Sequence, residues 1–135
     1  MSLDKALAEA VNNVPECLAA GYVDMSTGML LGIKTVDSHP QEILDMVSAA
    51  TADLFQGPSV VTIEDHFKKA RGQKKDADAH FFQEIIVFSD NLLHVFLRTK
   101  KYPEHVIVFV SRKSANIGMV LTKSRMAISA LTDAI

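Results

Sequence analysis

The chain has 135 residues, a length that holds one hydrophobic core but not two. Apolar residues make up 48% and charged residues 22%, the balance of a folded soluble protein and not of a disordered one. A net charge of −2 excludes a generic nucleic-acid binder, which needs a basic surface to neutralise phosphates, and the one cysteine, Cys17, excludes an internal disulfide.

No run approaches the ~20 consecutive apolar residues that cross a bilayer. The start, MSLDKALAEAVNNV, lacks the basic opening and apolar core of a signal peptide. The expectation is a cytoplasmic protein with no membrane insertion.

The first predicted element is a helix over SLDKALAEAVNNV. Ser2 is placed to cap it, and Leu3, Ala6, Leu7, Ala10 and Val11 recur at helical spacing until Pro15 ends it. Light and rich in alanine, it reads as a cover over the fold. A β-hairpin follows, with strands Cys17–Val23 and Met29–Thr35 flanking the turn chemistry of DMSTG. The first strand is apolar on both parities and predicts a central position. Gly21 and Gly32 predict that something packs closely over them.

SHPQEILDMVSAATADLF is the clearest helix. Ser38 or His39 precedes Pro40 at a favoured first-turn position, Glu42 sits near the positive end, and Gly57-Pro58 stops it. It carries two apolar stripes. Ile43, Met46, Val47, Ala50 and Leu54 form one; Leu44, Ser48, Thr51 and Phe55 form a second, weaker one beside it. Within the next stretch, Thr62–Ala70 predicts a short amphipathic helix with Ile63, Phe67 and Ala70 on one side. RGQKKDADA then reads as a mobile, solvated linker, and Gly72–Ala79 as the first site of proteolysis.

Three strands close the pattern: Phe81–Ser89, Leu92–Thr99 and Val106–Ser111. Asp90-Asn91 joins the first two as a tight hairpin, and the all-apolar third predicts a central strand. A last helix runs from about Ser114 to Leu131, burying Ile117, Val120, Leu121, Ile128 and Leu131. The order α-β-β-α-β-β-β-α, with hairpin connections, predicts an α+β fold on a mostly antiparallel sheet.

Candidate chemistry is sparse. In SRKSANIG, Arg112 and Lys113 beside a helix start suggest a phosphate cradle, but the Gly-Lys-Ser/Thr order of a phosphate loop is missing. The preferred reading is a cap, Ser114 or Asn116, with Gly118 allowing close approach of a neighbouring backbone. His39, His66, His80, His94 and His105 include no i,i+4 pair and no cysteine partner, so no metal is expected. His94 reads as a satisfied, half-buried strand histidine and Cys17 as a small core residue. No serine lies in a nucleophile elbow. The basic run Lys68, Lys69, Arg71, Lys74 and Lys75 is diluted by Asp76 and Asp78 and reads as solvated. The strand aromatics read as core. Neither enzyme chemistry nor a cofactor is expected.

The order of elements, together with GYVDMSTGMLLG, DNLLHVFLR and VIVFVSRKSANIGMVLTKSRMAI, resembles the Roadblock family over roughly residues 3–131. The family comprises dynein light chains and prokaryotic partners of small Ras-like GTPases. The resemblance implies a Roadblock/profilin-like architecture: a five-stranded antiparallel sheet of order 2-1-5-4-3 with helices on both faces. It also implies a cytoplasmic signalling or motor-complex component that pairs with itself through the second helix and third strand. One domain would then span 1–135, with 57–80 an extended, partly mobile connection absent from the family pattern. On this reading Leu44, Ser48, Thr51 and Phe55 face a second subunit, joined by Phe82, Glu84, Ile86 and Phe88 of the edge strand. A small Ras-like GTPase is the expected partner. The rival reading is a small-ligand sensor whose cavity Gly21 and Gly32 would line.

Overall fold

The computed structural model describes residues 2–36, 41–70 and 82–135, the side chains of 41–48 excepted. In chain order these form α1 (Leu3–Asn13), β1 (Cys17–Asp24), β2 (Met29–Thr35), α2 (Gln41–Gln56), α3 (Pro58–Ala70), β3 (Glu84–Phe88), β4 (Leu92–Arg98), β5 (His105–Arg112) and α4 (Ile117–Asp133). The predicted order is present, with the short helix of the connection extended back to Pro58. The predicted start of α2 at Ser38–Pro40 and the linker RGQKKDADA lie outside the described residues.

The strands form one antiparallel sheet of order β2-β1-β5-β4-β3, the order the resemblance implied. Hairpins explain three of its four pairings, because a strand returning through a tight turn lies antiparallel to its predecessor. At the β1–β2 turn, Asp24 accepts from the Ser26 N–H at 3.0 Å and from the Ser26 hydroxyl at 2.6 Å. Gly28 supplies the left-handed φ of 72° that closes it. The β1–β5 pairing is long-range. Both strands are apolar on both parities and sit inside the sheet, as predicted.

Alternation divides the core into two layers. On one face Ala20 and Tyr22 of β1, Leu93, Val95 and Leu97 of β4, and Ile107 and Phe109 of β5 pack with Leu7 of α1 and Val120 and Leu131 of α4. On the other, Val23, Phe96, Val106 and Val108 pack with Met25 and with Phe55 of α2.

α1 is more than a cover. Ala6, Leu7 and Ala10 are buried, because Ser2 accepts the Lys5 N–H and starts the helix in the register that lays this stripe on the sheet. Gly32 is what admits it. A Cβ there would lie 2.8 Å from Leu3 Cδ2 and 3.0 Å from Leu7 Cδ1. Gly21 is looser, with Leu30 and Ile33 at ordinary contact distance. The two glycines lie on opposite faces of the sheet and share no cavity, and leucine side chains of α1 fill the space over Gly32.

Candidate interaction surface

The β5–α4 turn is a cap. Asn116 Oδ1 accepts the Met119 N–H at 3.1 Å, so α4 begins at Ile117 and not at Ser114. Ser114 instead donates to Glu16 Oε1 at 3.1 Å. Gly118 admits no neighbouring backbone; the one atom near its missing Cβ is Asn116 Oδ1, at 3.3 Å. Ile117, predicted to be buried, is exposed as the first residue of α4. An open cleft beside this turn is lined by Asp90, Asn91, Arg112, Lys113 and Ser114. The Lys113 N–H is taken by the Asn91 carbonyl at 3.1 Å and the Asp90 carboxylate opposes an anion, so the cleft is a poor phosphate cradle.

The other chemical candidates are structural. Cys17 is buried, donates to the Ala19 carbonyl at 3.2 Å, and has its thiol pKa pushed up by burial, the opposite of an activated nucleophile. His94 is half-buried, with Nε2 3.1 Å from Ser89 Oγ, and burial lowers its pKa. His105 Nδ1 lies 2.8 Å from the Tyr22 hydroxyl. His66 is exposed while Glu64, two residues earlier, is buried, so the two side chains point in different directions. His39 and His80 lie outside the described residues. Among the described residues no three His, Cys, Asp or Glu side chains could hold a metal, and no helix is long and apolar enough to cross a membrane.

Among the described residues the fold leaves apolar side chains exposed on β3 and α3 and at Leu54 of α2, and also on β2 and α4. Among the described residues β3 is an edge strand of five residues paired only with β4. Its register places Glu84, Ile86 and Phe88 opposite Leu97, Val95 and Leu93, on the face that carries α1 and α4. Ile85 faces the α2 side. Ile86, Val87 and Phe88 are all exposed, Phe88 at 53%. Phe82, just before the strand, is half-buried against the α2-side core of its own subunit. Glu84 is held by its own α4: Arg125 donates from Nε and Nη2 to its two carboxylate oxygens, each at 2.8 Å. That guanidinium holds the Glu84 carboxyl below the usual range.

The stripes of α2 are reversed from the prediction where side chains are described. Thr51 and Phe55, expected to face a partner, are 1% and 0% exposed; Leu54, expected in the core, is 40% exposed, and Ala50 is exposed too. The first stripe is the more apolar of the two, yet the helix's rotation over the sheet buries Thr51 and Phe55 of the second. Phe55 fixes that rotation: its ring meets Phe96 with centroids 6.4 Å apart, and the Arg98 guanidinium lies 5.2 Å from its centroid. Leu44 and Ser48 fall among the residues whose side chains are not described.

α3 presents a similar inversion. Ile63, Phe67 and Ala70 do share one side, as predicted, but that side is exposed while Glu64 and Lys68 are buried. Sequence reading missed Leu54 and Val87 as surface residues and Arg98 and Arg125 as organising ones. Only Arg98, a charge ending an apolar strand run, carried a signal.

No family model matches the sequence, and no curated protein matches it. Solved structures do. The chain is similar to a Roadblock/LC7 domain from Streptomyces avermitilis, at 13% identity over 98% of this chain and 97% of that one, with a TM-score of 0.67. It is similar to Myxococcus xanthus MglB at 13% identity over 97% and 92%, TM-score 0.69. It is similar also to an MglB described in a tetrameric arrangement, at 18% identity over 96% and 85%, TM-score 0.68.

Proposed function

The chain has the Roadblock/LC7 fold, and we propose that it is a non-enzymatic interaction protein that pairs with itself and partners a small Ras-like GTPase. The observation that carries the self-pairing is β3. A strand with no neighbour on its outer edge among the described residues, and with Ile86, Val87 and Phe88 exposed on both faces, is a template for another strand. Antiparallel pairing with its copy across a two-fold axis closes that edge and buries both apolar faces. Exposed Leu54 at the end of α2 supports an interface that continues onto the helix layer. The tetrameric arrangement of one similar structure supports self-association as a habit of the fold.

The GTPase reading rests on the resemblance carried by DNLLHVFLR and the β5–α4 passage. The protein's part is to present a rigid surface, and any change in nucleotide turnover comes from repositioning the GTPase's own groups. Two measurements test this. Sedimentation velocity at micromolar concentration is expected to show a wild-type dimer and a folded Ile86→Lys monomer; a monomeric wild type overturns the self-pairing. Affinity capture from the native cell, with GDP or a non-hydrolysable GTP analogue present, is expected to recover a small GTPase in one nucleotide state. Recovery of a metabolite and no GTPase overturns the partner assignment.

A further inference from the structure

Arg98 ends β4 and is 5% exposed. A guanidinium cannot shed its charge at ordinary pH and carries five N–H donors, so its burial demands several acceptors and a counter-charge. The acceptors come from three separate parts of the chain. Nε donates to the Phe82 carbonyl at 2.9 Å, Nη1 to the Pro103 carbonyl at 2.7 Å, and Nη2 to the Phe55 carbonyl at 3.4 Å. Glu64 of α3 and Glu104 supply opposing charge, while burial lowers the Arg98 pKa.

The positions of these carbonyls matter. Phe55 is in the last turn of α2, where the helix leaves its carbonyls without intrahelical donors. Phe82 precedes β3, ahead of the first ladder pair, Glu84 with Leu97. Pro103 lies in the β4–β5 connection. One side chain therefore joins the end of α2 to the entrance of β3.

We propose that Arg98 is a positioning residue for self-association. By holding the α2 terminus and the start of β3 at one spacing, it sets exposed Leu54 on the same side of the sheet as Val87, the exposed β3 residue on the α2 face. Glu64 adds an opposing charge from α3 to the same hub. The proposal rests on the self-pairing reading above. Lysine at this position keeps the charge, but its donors share one nitrogen and do not span three carbonyls.

The test compares wild type with Arg98→Lys by sedimentation and by amide hydrogen exchange. The expected result is a folded chain whose dimer dissociation constant rises about tenfold or more. Exchange is expected to quicken in β3 and the last turn of α2 while β1 and β5 stay slow. A folded variant with an unchanged dissociation constant overturns the proposal. So does uniform acceleration across the sheet, or a variant that does not fold, since either makes Arg98 a general stabiliser. A wild type that is monomeric at every concentration removes the self-pairing reading itself; a wild-type dimer with an indifferent Arg98→Lys removes this proposal alone.

Discussion

At the β5–α4 turn two polar residues have separate duties. Asn116 bonds the Met119 N–H inside the helix, whereas Ser114 makes an exposed bond to Glu16. Asn116→Ala is expected to lower stability by about 0.5–2 kcal/mol, and Ser114→Ala by clearly less, in urea titrations of the two variants. A second residue-scale effect belongs to Tyr22. Its ring is fully buried, and burial, with a smaller contribution from Tyr102, pushes its pKa up to about 12. Tyrosine in an unfolded chain ionises near ~10. Between these values the unfolded chain has lost the proton and the folded one has kept it, so stability is intact below the unfolded pKa and falls as pH rises toward 12. The loss is roughly 2–3 kcal/mol by the end of that window. Tyr22→Phe removes the titrating group, so its alkaline unfolding curve is expected to be shallower than that of wild type. Equal slopes would show that the phenol titrates alike in both states.

Among the elements, α2 allows the sharpest contrast between adjacent residues. Phe55 fills the core beneath the helix, so Phe55→Ala is expected to cost about 3–5 kcal/mol of monomer stability. Leu54 points away from that core, so Leu54→Lys is expected to shift monomer stability by no more than about 0.5 kcal/mol while weakening self-association. Denaturant curves and sedimentation of the two variants check this together. A Leu54→Lys chain that unfolds would show the helix rotated from its observed seat. β3 is held from both faces, by Arg98 through Phe82 and by Arg125 through Glu84. The Glu84 contribution is present above the ordinary carboxylate range and is lost as pH falls through its lowered folded value. Both groups are partly exposed, so the effect is expected to be small and to fade with added salt.

For the whole molecule, the consequence of two core layers around one sheet is a gradient of protection. β1 and β5 lie inside the sheet and contribute to both layers, so their amides are expected to exchange most slowly. β3, short and at the edge, is expected to exchange faster in the monomer and to gain protection as concentration rises. The thermal midpoint is expected to rise with protein concentration as well, since pairing binds the folded state alone. A concentration-independent midpoint would count against the pairing.

By itself the sequence determined the periodic features. The continuous apolar runs of 17–23 and 106–111 and the helical spacing in 3–13 are local features, and Ser2 and Asn116 act on donors within their own first turns. The β-hairpins were equally legible, because Asp24, Gly28 and Asp90-Asn91 carry their turns within a few residues. Three things were decided only by tertiary structure. Thr51 and Phe55 outcompeted Ala50 and Leu54 for the core because Phe96 and Arg98 wait beneath that side of α2. Glu64 and Lys68 are buried while Ile63 and Phe67 are exposed, an outcome opposite to what hydropathy alone favours. Arg98 became a hub because Phe55, Phe82 and Pro103 converge on it from distant parts of the chain. In each case the deciding partner is remote in sequence: hydropathy favours the stripe of α2 that the fold exposes, and the cation ending β4 stands out locally without showing what it will meet.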